Sequence, residues 1–262
     1  MGKLFKNLKP YWKSVLMIVV LLVVQAFCDL SLPQYTSDII DTGIQNSGVE
    51  HILPEKITAE EFQNAQLFMT ADEQKTWQNA YSGDGDILDR NDCSKKDLEQ
   101  FDSDLIVPIL LNYQMSMMSE DSFREMLMQQ QQGNPQAAEQ LKTMSIADIG
   151  KSMGVTLTPF ERTEEDNDGN ETTVTCVDVR PLFAAMQEAG QFTEETRSEM
   201  RSQLETMLDT MGESLVQSMG VAYAVQCDQA AGLDTDKIQT NYLWAAGGKM
   251  IAIAFAMMAV TI

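Results

Sequence analysis

Two stretches of this chain are apolar with almost no polar interruption, and the sequence between them changes character every ten to twenty residues. From Ser14 to Ser37 the only charged residue is Asp29, and a second apolar run extends from Tyr242 to Ile262. Apolar positions continue past the first run at Leu30, Leu32, Tyr35, Ile39, Ile40 and Ile44, which predicts a helix from about Pro10 to Gln45. That exceeds the ~20 residues needed to cross a bilayer, so the helix should project beyond it. Pro33 removes one backbone donor within it and should bend it.

The middle of the chain reads as short helices and one pair of strands. Thr58-Ala59-Glu60-Glu61 and Thr70-Ala71-Asp72-Glu73 each place a threonine cap before acids in a first turn. They predict helices running to about Met69 and Tyr81. A turn follows at Ser82–Asp86, then a short extended piece at Ile87-Leu88. Helical spacing returns over Asp104–Met118 and Ser119–Gln132, is broken by the polar run from Gln129 to Gln136, and resumes at Ser145–Met153. Val155–Thr163 and Thr172–Arg180 are rich in Val and Thr and predict a hairpin around Glu164–Glu171. Pro181–Ala189 starts a helix with proline at an early position. Thr193–Gly212 and Glu213–Ala231 then form one long helix or two separated near Gly212. The fold class is therefore mainly α: two membrane helices flanking a helix-rich α+β block with one β-hairpin.

Charge orients this layout. Lys3, Lys6, Lys9 and Lys13 precede the first apolar run without a single acid. All of the 39 acids except Asp29, Asp38 and Asp41 lie between Asn46 and Lys237, so that stretch alone is more negative than the chain's formal −21. Lysines next to a membrane helix stay in the cytoplasm. The acidic block is thus expected outside and the second helix returns. Such a block repels phosphates, which excludes nucleic acid as a partner; a solvated surface is the plain reading, and a cationic partner fits the charge.

A lysine-rich start before Val15–Phe27 also resembles a secretory signal. However, Phe27 stands where a lipoprotein site before Cys28 needs a small residue, and Ala26-Phe27-Cys28 fits signal peptidase poorly. An uncleaved span is expected. Asp29 is costly in lipid and should face a bundle interior, a water-filled cavity or the outer headgroups. Gln25, Asp29 and Gln34 are read as a polar stripe beside it.

The chemistry-bearing residues are sparse. Cys93, Cys176 and Cys227 are odd in number and widely spaced, which leaves one disulfide or three buried thiols open and supports no zinc site. The single histidine, His51, has no partner at ligand spacing and is expected in a loop. Glu164 to Thr175 has Asp166, Asp168 and Gly169 in calcium-loop positions, but Thr175 stands where a bidentate Glu is required, and a hairpin turn explains it better. Asp84 to Asp92 fails the same test. Met200, Met207 and Met211 read as one buried stripe. No catalytic constellation and no metal site are expected.

Three segments resemble a family. Leu4, Phe5 and Leu8 beside Lys3, Lys6 and Lys9, followed by Pro10-Tyr11-Trp12, look like the elbow helix of ABC exporters. Gln25 to Ile44, QAFCDLSLPQYTSDIIDTGI, is similar to their first transmembrane helix, and Ala230 to Met250, AAGLDTDKIQTNYLWAAGGKM, to the approach to the second. The subgroup resembled is common in Gram-positive bacteria and carries a large extracytoplasmic insertion between those helices. The resemblance implies a cytoplasmic elbow at 1–12, a first span at 13–45, an acidic insertion at 46–236 and the start of a second span at 237–262. Ending inside an apolar run reads as truncation. It further implies the permease half of an ATP-driven exporter of a small molecule, lipid or peptide, paired with a second half as a homo- or heterodimer. Gln25, Asp29 and Gln34 would then line the substrate pathway, and ATP and Mg would bind a nucleotide-binding domain outside this sequence. No GxxxxGK[ST] loop is present, since Met250 follows Gly247-Gly248-Lys249 in place of Ser or Thr. The alternative is a membrane-anchored extracytoplasmic binding or sensor module with two spans and no transport activity. In either case the segments Thr58–Tyr81 and Thr193–Ala231 are expected to pack together, braced by the hairpin.

Overall fold

The structure is a computed structural model that describes residues 11–130, 135–165 and 171–261. In chain order it runs α1 (Trp12–Asp38), a π-helical segment (Ile39–Gln45), β1 (Lys56–Thr58), α2 (Ala59–Ala65), a 3-10 turn (Gln66–Phe68) and α3 (Ala71–Ala80). There follow β2 (Tyr81–Ser82), β3 (Ile87–Arg90), α4 (Lys95–Ser116), β4 (Met118–Ser119), α5 (Glu120–Gln130) and α6 (Pro135–Thr143). The remainder is α7 (Ile146–Ser152), β5 (Pro159–Glu165), β6 (Glu171–Val177), α8 (Arg180–Glu188), α9 (Glu194–Leu208), α10 (Glu213–Ala230) and α11 (Thr235–Thr261). The fold is mainly helical with small sheets. Two compact units result: one from the chain up to Glu50 and from Gly232 onward, the other from His51 to Ala231.

The first unit is a pair of helices, each long and apolar enough to cross a bilayer: Trp12–Gln45 and Thr235–Ala259. Leu21, Gln25, Cys28, Leu32 and Tyr35 are among the less exposed positions of α1, and Tyr242, Ala246, Met250, Ile253 and Met257 among those of α11. Both sets recur every three or four residues, so one stripe of each helix meets the other. Gly43 makes the close approach: a Cβ there would lie 2.7 Å from Leu243 Cδ2. Gln239 Nε2 donates to the Gly43 carbonyl at 2.9 Å, satisfying an acceptor in the π-helical segment. The remaining faces are bare and apolar, with Leu22, Val23, Phe27, Leu30, Trp244 and Phe255 all more than half exposed. The elbow expected at 1–12 lies outside the described residues except for Tyr11 and Trp12.

The second unit is built from capped helices around one core. Thr58 and Thr70 cap α2 and α3 as expected, and Thr70 forms a reciprocal box with Glu73. Ser145 and Thr193 cap α7 and α9. Each cap satisfies an otherwise orphaned helix donor. The sequence reading started α4 nine residues late, at Asp104; Ser94 and Asp97 form a capping box ahead of Lys95. Gly212 separates α9 from α10, which resolves the choice between one helix and two. An additional helix, α6, begins at Pro135, at the end of the polar run expected to break the helices, and continues to Thr143, where no element is expected.

The hairpin pairs β5 with β6 from Pro159↔Val177 to Glu165↔Glu171, and β4 adds a third strand through Met118↔Val177. Its turn, and with it Asp166, Asp168 and Gly169, lies outside the described residues. Of a second three-stranded sheet, in the order β1-β3-β2, the sequence predicts only the extended piece at Ile87-Leu88, which opens β3. Its strands are two to four residues long. Pieces so short show no alternation, and only their distant partners make them strands.

The core joins Phe68, Leu110, Phe123, Ile149, Val177 and Leu204 with a triangle of edge-on rings, Phe68, Phe183 and Phe192. A smaller cluster stacks Phe62 on Trp77, with Tyr81 edge-on to Phe62 and tilted against Trp77. Met200 and Met211 pack against the core, whereas Met207 is 40% exposed and does not belong to the stripe read from sequence. The segments around Thr58–Tyr81 and Thr193–Ala231 do meet. Arg201 grips Glu73 through both guanidinium arms, at 2.6 and 2.7 Å, and Arg197 donates to the Leu67 carbonyl. All four cysteines are unpaired, with Cys28, Cys176 and Cys227 buried.

Candidate functional site

The second unit holds a cleft of about 390 Å³ between α2, α4, the hairpin and α10. Its charged residues arrive from three directions. Thr58 caps α2 and so fixes Glu61 in the first turn, with the Glu61 amide donating to the threonine hydroxyl at 3.2 Å. Asn112, fully buried on α4, donates to Glu61 Oε1 at 2.8 Å. Arg180 opens α8 just beyond β6, where Pro181 occupies the first turn and needs no donor of its own.

Arg180 is the hub. Its Nε and Nη2 donate to the two oxygens of Asp178 at 3.0 and 2.8 Å, and Nη1 donates to both oxygens of Glu61 at 2.8 and 2.7 Å. Nη1 also reaches Asn112 Oδ1 at 3.2 Å. Burial alone would lower the Arg180 pKa; the hydrogen bonds to Asp178 and the charges of Glu61 and Asp178 outweigh it and raise it. The guanidinium is permanently charged, and two carboxylates share it.

The far wall is α10. Tyr223 is 2% exposed, lies edge-on to Tyr113 with ring centroids 5.9 Å apart, and its hydroxyl makes no hydrogen bond of ordinary geometry. The Cys227 thiol is a weak partner for it and, after burial and charge, adds to its raised pKa. Burial, followed by the Glu61 charge, pushes the Cys227 thiol well above its usual pKa, so it stays protonated and is no nucleophile. Behind the cleft, Asp228 accepts the Lys56 amide at 2.8 Å through Oδ1 while Oδ2 has no partner. Burial raises its pKa to about 6, with the Glu55 charge adding to it and the Lys56 hydrogen bond and Arg90 opposing.

The residues singled out from sequence lie elsewhere. Gln25 is half-buried on the seam of the helix pair, and Asp29, one turn on, is exposed. At 100° per residue Gln34 falls half a turn from Gln25, and it too is exposed, so the three do not form one stripe. Gly247, Gly248 and Lys249 sit inside α11, a continuous helix that offers no phosphate-cradling loop, so the residues present do not fit ATP. Among the described residues, no group of three His, Cys, Asp or Glu converges on a metal position. His51 does have a partner: its Nδ1 lies 2.6 Å from Asp102 Oδ2, whose other oxygen accepts the Ile52 amide at 2.9 Å. Arg180, Glu61 and Asn112 carried no local signal, because their partners stand 68 and 119 positions apart in sequence.

No family model, no curated protein and no solved structure matches the chain.

Proposed function

We propose that this chain is the N-terminal part of the permease half of an ATP-driven exporter of the ABC type. Its first unit would be the first transmembrane helix and the start of the second, and its second unit the extracytoplasmic insertion between them. The observation that carries the reading is the helix pair. Two apolar helices lie side by side with bare outer faces, and in sequence they bracket the acidic unit. Exposing a large apolar side chain to water costs about 1.5–3 kcal/mol. A pair with so many bare is at home in lipid. The four lysines before Ser14 favour a cytoplasmic start and an external second unit. The resemblance of Gln25–Ile44 and Ala230–Met250 to exporter helices supplies the family. A second half, as a homo- or heterodimer, and ATP with Mg on a nucleotide-binding domain belong to the same proposal.

The reading frame past Ile262 tests it. That frame must encode four further spans and a GxxxxGK[ST] loop, and the purified product must hydrolyse ATP until the lysine of that loop is replaced. A frame that closes after the second span overturns the exporter. It leaves a two-span anchored binding module, the reading that the cleft in the second unit favours.

A further inference from the structure

We propose that the cleft of the second unit is a binding site for an alkylammonium group. The inference stands on the second unit alone and holds whether or not the chain belongs to an exporter.

Charge is the first argument. Glu60, Glu61 and Asp178 line the cleft with one guanidinium, Arg180, and a second, Arg162, reaches Met117 of its wall and acts on Tyr113. All three nitrogens of Arg180 are already committed to Asp178, Glu61 and Asn112. Of its five N–H donors, at most one, on Nη2, is left to offer an anion. Glu60 is exposed and has no ion-pair partner among the described residues. Three carboxylates against these two guanidiniums leave the cleft net negative, so it attracts a cation.

The rest of the lining says which kind of cation. A hard metal ion would need several converging oxygens, and no such group forms among the described residues. Instead the cleft presents Tyr113 and Phe160, the latter 39% exposed, as ring surfaces next to the carboxylates. Rings attract cations through their electron-rich faces while covering the alkyl stem. The Tyr223 hydroxyl is the independent sign of a ligand. It lines the cleft, it is buried, and apart from the weak Cys227 thiol it has no hydrogen-bond partner among the described residues, a state that costs free energy unless something completes it. Burial raises its pKa, so it remains a phenol whose oxygen accepts. An ammonium brings three N–H donors, and the Glu60 carboxylate, the Glu61 carboxylate and the Tyr223 oxygen are acceptors for them. A cleft of about 390 Å³ holds an amine with its alkyl chain.

The test is calorimetric titration of the full chain in non-ionic detergent. N-acetyl-lysine amide is the peptide-type probe, spermidine the free polyamine, and Nα,Nε-diacetyl-lysine amide the uncharged control. Saturable one-site binding of an ammonium probe with none of the control is the expected result, and the tighter of the two probes names the source. Glu60→Gln should weaken it about fivefold by removing a charged acceptor. Tyr223→Phe should weaken it about threefold by removing a neutral one. Glu205→Gln, an exposed acid on α9 outside the cleft, should leave it unchanged. Burial of Trp77, read by fluorescence, verifies that each variant is folded. Equal binding of the diacetylated control, no saturable binding, or equal weakening by Glu205→Gln and Glu60→Gln overturns the site. So does unchanged affinity in both Glu60→Gln and Tyr223→Phe.

Discussion

Asp228 offers the sharpest quantitative test of the second unit. It is a fully buried carboxylate with one oxygen on the Lys56 amide and the other unpartnered. Its pKa rises from 3.8 to about 6 on folding. An acid whose pKa is raised by folding favours the folded state when protonated. That contribution is fully present below pH 3.8 and is lost as the pH climbs through about 6. At 1.36 kcal/mol per unit, the whole loss is about 3 kcal/mol, and about 2 kcal/mol of it falls between pH 4.5 and 7.5. Asp228→Asn keeps an acceptor for the Lys56 amide and does not titrate. Its stability relative to the parent should therefore improve by about 2 kcal/mol across that interval. Urea unfolding of the full chain in detergent, in a Trp12→Phe/Trp244→Phe background, leaves the buried Trp77 as the reporter. Subtracting the two proteins at each pH cancels the many other acids of this unit. A difference that stays flat with pH would refute the reasoning, because it would mean that Asp228 is solvated or already neutral throughout.

Three further outcomes follow from the packing and the charge. Arg180→Met strips the partner from Asp178 and most of the partners from Glu61, and should destabilise the second unit by about 3 kcal/mol in the same urea assay. Adding Glu61→Gln to it should recover part of that loss, and no recovery would mean that volume rather than charge is at stake. Gly220→Ala would push a Cβ to 2.6 Å from both Ile52 and Ile106, an overpacking expected to cost about 1–3 kcal/mol, measured as a lower urea midpoint; an unchanged midpoint would show the isoleucines yield freely. In a cysteine-free background, a thiol placed at the exposed Asp86 should be labelled by an impermeant reagent on intact cells while one at Lys6 is spared; the opposite pattern reverses the proposed topology.

What the sequence determined by itself is what depends on near neighbours. The two apolar runs, the threonine caps at Thr58 and Thr70, the serine cap at Ser145, proline at the start of α8 and the Val/Thr hairpin are all legible, because a cap acts over three residues and a periodicity over a few turns. Even locally the legibility had gaps: Ser94 and Asp97 form a capping box that was open to reading, whereas the 3-residue β1 becomes a strand only beside β3. The candidate site was not legible at all. Glu61, Asn112, Asp178, Arg180 and Tyr223 sit on five different elements or connections, each with an unremarkable local pattern, whereas the polar residues that stand out in sequence, Gln25, Asp29 and Gln34, lie in the first helix. The pairing of His51 with Asp102 and the stranded oxygen of Asp228 have the same origin. Which charge is neutralised, and which polar atom is left unpaired, is decided only when segments more than fifty residues apart close around the core, since desolvation and ion pairing depend on distance in space and not along the chain.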